Sequence, residues 1–125
     1  MQILLSIASG GAIGAVARYF LSKSIDSLSG SNFPYGILIC NILGSMVLGY
    51  IYIYISKDSF LSENIKPFIE IGILGSFTTF SAFSLEAYLM IEKGNYSTAA
   101  IFIMLSVFLS ITGLVLGINF YKMFG

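Results

Sequence analysis

The residues with the most chemistry to offer lie in Gly72–Glu86, GILGSFTTFSAFSLE, inside a long apolar segment. This stretch holds two glycines, five hydroxyl residues and three phenylalanines where a plain membrane helix would carry Leu, Ile and Val. Gly75-Ser76-Phe77-Thr78-Thr79 is weak helix sequence, because Gly costs about 1 kcal/mol in a helix interior and Thr is β-branched. A helix opened there would release the carbonyls of Gly75 to Thr79. Free carbonyls within a membrane are tolerated where they are buried in protein or face a cavity or an ion, and they suit a small cation. Phe80 and Phe83 follow at i, i+3 and share a face. The rim of an aromatic ring carries partial positive charge, so such edges could favour an anion without a hydrogen bond. Packing against lipid or protein is the more ordinary use of the same rings. Glu86, one turn beyond Phe83, is an acid within a span and therefore a functional candidate. It would face either a vestibule or a polar partner.

Two other stretches supply polar groups at depth. Asn41 stands well inside an apolar run, with Gly44 and Ser45 on its face at i+3 and i+4. Its carboxamide serves either an interhelical hydrogen bond, worth about 1 kcal/mol, or a pore as a donor. Ser106, Ser110, Gly113 and Gly117 fall at i, i+4, i+7 and i+11 and so share one helical face. An anion shedding its water needs several weak donors in a row rather than one strong trap. Phe80, Phe83, Asn41 and the Ser106/Ser110 stripe form such a set. No Lys or Arg lies deep in a span, and Arg18, near the end of the first, comes nearest.

The elements that must position these groups are membrane helices. Of 125 residues, 57% are hydrophobic and 10% charged, against about 25% charged in a soluble domain. Mean hydropathy is +0.92. With about 20 residues per span, the pattern predicts one all-α domain with four transmembrane helices, over 3–21, 34–55, 67–91 and 97–121, the third of them broken. Between them lie a polar loop (22–33), a charged loop (56–66) and a turn at Glu92–Asn95. In the first span Ser6, Gly10 and Gly14 form a small-residue face that lets two backbones approach closely. Tyr50, Tyr52 and Tyr54 read as an interfacial aromatic belt. Ala15-Val16-Ala17 resembles a signal-peptide cleavage site, but no Lys or Arg precedes the apolar run and three glycines interrupt it. A retained first helix is therefore expected. Histidine is absent and Cys40 is the single cysteine, which excludes His-based catalysis, a Cys/His metal site and an intrachain disulfide. Cys40 itself reads as a packing residue. Six basic residues balance six acidic ones, so no nucleic-acid partner is implied.

Four spans put both termini on one side of the bilayer. That side holds Lys57, Lys66 and Lys122, and the other holds Arg18, Lys23 and Lys93, three against three. Orientation normally follows an excess of Lys and Arg in cytoplasmic loops, and here there is none. The expectation is dual topology: copies insert both ways up and pair antiparallel about an axis in the membrane plane, an intermolecular form of the inverted repeats of transporters. Two broken helices facing each other across that axis would form one oxygen cage at the midplane.

Over its whole length the chain resembles the Fluc (CrcB) fluoride channels, small four-span proteins of prokaryotic membranes. The resemblance rests on Gly10-Gly11-Ala12-Ile13-Gly14-Ala15 with Arg18-Tyr19, on Asn41-Ile42-Leu43-Gly44-Ser45, on Gly75 through Ser84, and on Glu86. The third of these is the most specific. It implies a multi-pass protein of the cell membrane acting as an antiparallel homodimer, with two passive pathways that let cytoplasmic fluoride leave the cell. It also implies a structural sodium ion on the dimer axis, held by backbone carbonyls at positions matching Gly75 and Thr78 of both copies. The pore phenylalanines match Phe80 and Phe83, the pore asparagine Asn41, and the fourth-helix hydroxyl track Ser106 and Ser110. Ala82 stands where the family often has Thr. None of the pore residues is lost, as happens in paired unlike subunits, so a homodimer is expected.

The main alternative is a proton-coupled exporter of the small multidrug resistance kind, which is also a four-span dual-topology dimer. That mechanism needs an intramembrane carboxylate in the first span, and residues 3–22 contain no Asp or Glu. A membrane assembly protein without transport activity would not need a broken third helix. No nucleophile–base pair, metal cluster or phosphate loop suggests an enzyme.

Overall fold

Residues 2–17 carry no charged side chain, and from them grows α1 (Gln2–Ser29). The helix runs eight residues past its expected end at Leu21, into the stretch read as a loop. No Gly or Pro interrupts the chain between Gly14 and Gly30, so nothing halts the helix until Gly30. That residue adopts φ 61° and turns its N–H back to the Asp26 carbonyl at 3.2 Å, the left-handed cap that glycine permits. The Asp26 carboxylate in turn accepts the N–H of Gly36 at 2.9 Å. This bond fixes the corner between α1 and α2 (Tyr35–Lys57). Pro34 precedes α2, and its carbonyl accepts the N–H of Leu38.

The computed structural model describes residues 1–57 and 63–125, and these are helical and without strands. Asp58 to Ser62, part of the loop expected over 56–66, lie outside the described residues. The third span, residues 65–92, consists of four pieces. A turn of α3 (Ile65–Pro67) leads into a π-helical segment (Phe68–Leu74), a turn of α4 (Gly75–Phe77) and then α5 (Phe80–Glu92). The fourth span is α6 (Tyr96–Phe124). The four spans are 28, 23, 28 and 29 residues long. At 1.5 Å of rise per residue, each exceeds the roughly 30 Å hydrocarbon core of a bilayer.

Two small-residue seams hold the spans together. The face of Gly10 and Gly14 predicted for close approach packs on the π-helical segment of the third span. A Cβ on Gly10 would lie 2.5 Å from the Phe68 carbonyl and 3.1 Å from the Cα of Gly72. The second seam joins α2 to α6, where Gly113 and Gly117 lie against Ile42, Met46 and Tyr50. The apolar core sits at the other end, where Leu38, Phe83, Ala87, Met90, Ala99 and Phe102 pack around a Phe33 ring 5.6 Å from that of Phe102. Cys40 is fully buried. Of the expected Tyr belt, Tyr50 and Tyr54 meet Tyr121 of α6 edge to face, with the Lys57 ammonium 5.3 Å above that ring.

Candidate functional site

The break falls at the middle of the third span. Thirteen residues precede Thr78-Thr79 within Ile65–Glu92, and the 13 residues of α5 follow. Thr78 (φ −89°, ψ 149°) and Thr79 (φ −150°, ψ 126°) are extended. The break is narrower than the expected Gly75–Thr79, because Gly75 keeps right-handed helical angles. Its carbonyl is released all the same. In an unbroken helix the N–H of Thr79 would close on the Gly75 carbonyl and that of Ala82 on the Thr78 carbonyl. Instead the Thr79 N–H donates to Asn41 Oδ1 at 2.7 Å, and the Ala82 N–H donates to Thr79 Oγ1 at 3.3 Å. Thr79 is thus the N-cap of α5.

Asn41 makes the first of the two contacts open to it. Its Nδ2 donates to the Thr79 carbonyl at 3.1 Å while its Oδ1 accepts the Thr79 N–H, which is the interhelical bond. The same pairing fixes the amide's orientation, since a flipped carboxamide would set oxygen against oxygen and N–H against N–H. Nδ2 carries two hydrogens, so a second donor remains on a residue that lines the cleft at the break.

That cleft has a volume of about 240 Å³ and is lined by Asn41, Ser45, Thr78, Thr79, Phe80, Phe83, Ser106, Val107, Ser110 and Ile111. Five of the expected anion-path residues, Asn41, Phe80, Phe83, Ser106 and Ser110, meet in it. Ser106 is 6% exposed, and its Oγ has no hydrogen-bond partner among the described residues. A buried hydroxyl left this way carries a desolvation cost of roughly 1–3 kcal/mol, which a guest in the cleft would relieve. The rings of Phe80 and Phe83 stand 5.3 Å apart. None of the lining residues is charged. Glu86 is half-buried and is not part of this lining, so the structure does not join it to the cleft.

The break also exposes two helix ends. The N-terminal end of α5, where the helix dipole is positive, adjoins the cleft through Thr79 and Phe80, while the carbonyl end of the π-helical and α4 segment is negative. Sequence reasoning missed this pairing of ends, the π-helical widening and the role of Thr79 as cap. Thr79 immediately before the apolar turn that opens at Phe80 was the available signal for the last.

Sequence comparison adds the family. The profile described as CrcB-like protein, Camphor Resistance (CrcB), matches residues 5–118. The chain belongs to the CrcB family. Among curated CrcB relatives, one from Roseobacter denitrificans is 40% identical over 120 residues, covering 94% of each chain. Another, from Magnetococcus marinus, is 41% identical over 112 residues, covering 90% of this chain and 91% of its own. A third, from Ruegeria sp. (strain TM1040), is 45% identical over 115 residues, covering 91% and 90%. Each is named a fluoride-specific ion channel FluC. With four spans and bacterial CrcB relatives, the chain is a multi-pass protein of the cell membrane.

Proposed function

We propose that the chain is a passive, fluoride-selective channel that lets cytoplasmic fluoride leave the cell, working as an antiparallel homodimer. The observation that carries the reading is the Ser106 hydroxyl, without a partner among the described residues, in an uncharged cleft that also holds ring edges and an amide donor. Fluoride is small and accepts hydrogen bonds strongly. Ser106, Ser110 and the second Nδ2 hydrogen of Asn41 can replace part of its water, and the rims of Phe80 and Phe83 add positive edge without a strong trap. A site without Lys or Arg lets the ion leave as readily as it enters. The names of the CrcB relatives support the choice of anion.

The homodimer and its cation are part of the same reading. Gly75 is exposed in the single chain, and Glu70 O is the nearest atom a Cβ there would meet, at 3.5 Å. A released carbonyl at mid-span cannot face lipid, so a second copy covers this face. The balanced Lys/Arg count supports the upside-down orientation of that copy. The donor set fits a hard cation such as sodium, since neutral backbone oxygens freed from their helix are hard ligands. The carbonyls of Gly75 and Thr78 from both copies would hold it. When bound, the ion supplies the positive charge these oxygens need and ties the two copies together.

The exporter reading finds no support in α1. Its one acid, Asp26, lies in the last turn, and its carboxylate is engaged with the N–H of Gly36. Efflux of fluoride and chloride from liposomes holding the purified protein tests the channel. Fluoride efflux with negligible chloride efflux is expected, and equal rates for the two would overturn the reading.

A further inference from the structure

Thr79 leaves the helix because Asn41 takes both of its backbone polar groups. The Thr79 N–H and carbonyl bond the two ends of one carboxamide at 2.7 and 3.1 Å. In a continuous helix the partner for that N–H is the Gly75 carbonyl, four residues back. If Asn41 let go, the ordinary helical bond would re-form and withdraw the Gly75 oxygen. The preceding residue is held separately. The Thr78 Oγ1 donates to the Leu74 carbonyl at 3.0 Å, and Thr78 packs its methyl against Gly44, one turn along from Asn41. The break is therefore kept open from α2, by a side chain outside the span that carries it.

We infer that Asn41 is a positioning residue for cation binding: its carboxamide holds Thr79 extended and so keeps the Gly75 and Thr78 carbonyls available. The same residue lines the anion cleft, so one side chain links the two ion sites. A substitution at Asn41 then acts on sodium affinity as well as on the anion path. This inference rests on the sodium reading given above, and the test separates the two.

The test is a sodium titration of the melting temperature of the purified full chain in detergent, with N-methylglucamine replacing sodium. Wild type, Asn41→Ala and Ser106→Ala are compared. Both substituted residues line the cleft, but Ser106 makes no bond to Thr79. Loss of two hydrogen bonds to Thr79 is expected to raise the half-saturating sodium concentration by about tenfold or more in Asn41→Ala. Ser106→Ala should titrate as wild type. An Asn41→Ala midpoint equal to that of wild type overturns the inference and leaves the sodium reading standing. A wild type that does not respond to sodium overturns both. Should Asn41→Ala fail to fold, the wild type decides the matter. Coupling is reciprocal, so the side-chain amide resonance of Asn41 must shift between sodium and N-methylglucamine, and an unmoved resonance overturns the inference.

Discussion

Phe80 and Phe83 are neighbours with ring centroids 5.3 Å apart, yet Phe80 is 77% exposed in the single chain and Phe83 only 9%. Phe83 continues into the core, where its ring lies 5.3 Å from that of Phe102. Phe80 ends the series at the break. The two rings line one cleft but depend on different surroundings, so their substitutions should separate. Phe80→Ile is expected to abolish most fluoride efflux from liposomes while the melting temperature in detergent stays near that of wild type. Phe83→Ala should lower both, with a stability loss of roughly 3 kcal/mol for a buried Phe→Ala change. Equal melting losses in the two variants would contradict this division.

Ser106 leads to an opposite sign for stability. Its buried Oγ has no partner among the described residues, so Ser106→Ala removes an unsatisfied group rather than a hydrogen bond. The folded state should be as stable as wild type or slightly more so, by up to about 1 kcal/mol. Fluoride efflux should fall, because the cleft loses a donor. A melting temperature several degrees lower, with efflux intact, would mean that the hydroxyl serves packing alone.

The contrast between these residues shows what the sequence could reveal. Hydropathy marked all four spans, and Gly75, Thr78 and Thr79 marked the break, because both signals are local. Spacing within one helix placed Ser106 beside Ser110, and Phe80 beside Phe83. The bond from Asn41 to Thr79 joins residues 38 apart, and no local pattern says which backbone group a buried amide will meet. Helix ends were misjudged for a related reason. Residues 22–29 are polar, which reads as a loop, yet nothing in them stops a helix before Gly30. Glu86 was picked out as an acid within a span, and its half-burial outside the cleft lining depends on the packing of α5 against the rest of the chain. The π-helical segment arises where the third span meets the Gly10/Gly14 face of α1, a tertiary contact.

That contact is itself testable. A Cβ on Gly14 would run into the Ile73 carbonyl and come within 3.0 Å of the Ser76 Cβ. Backbone cannot yield as a side chain tip can, so Gly14→Ala must push α1 away from the π-helical segment. A loss of about 2 kcal/mol is expected, as for other overpacked interiors, read as a lower melting temperature in detergent. Gly11 offers the control on the same helix. A Cβ there meets the Ser76 hydroxyl at 3.2 Å, a side-chain atom that can rotate, so Gly11→Ala should cost much less.

The proposed antiparallel dimer makes a prediction about the population of single chains, independent of any ion. Arg18 is half-buried in α1 rather than at its end, eleven residues before Ser29. It therefore counts weakly as a loop charge, and the balance would tilt toward three lysines on the side of the termini against two opposite. Adding one charge should then be enough to set the orientation, since charge near the span ends decides it. In a Cys40→Ala background, a cysteine at exposed Ser31 is expected to react with a membrane-impermeant maleimide from either side of the membrane in comparable amounts. Adding Ser56→Lys, on the side of the termini, should make the count four against two, shift Ser31 labelling away from the cytoplasm and reduce fluoride efflux, because upside-down partners become scarce. Ser31 labelling confined to one side in the starting protein would rule out dual topology.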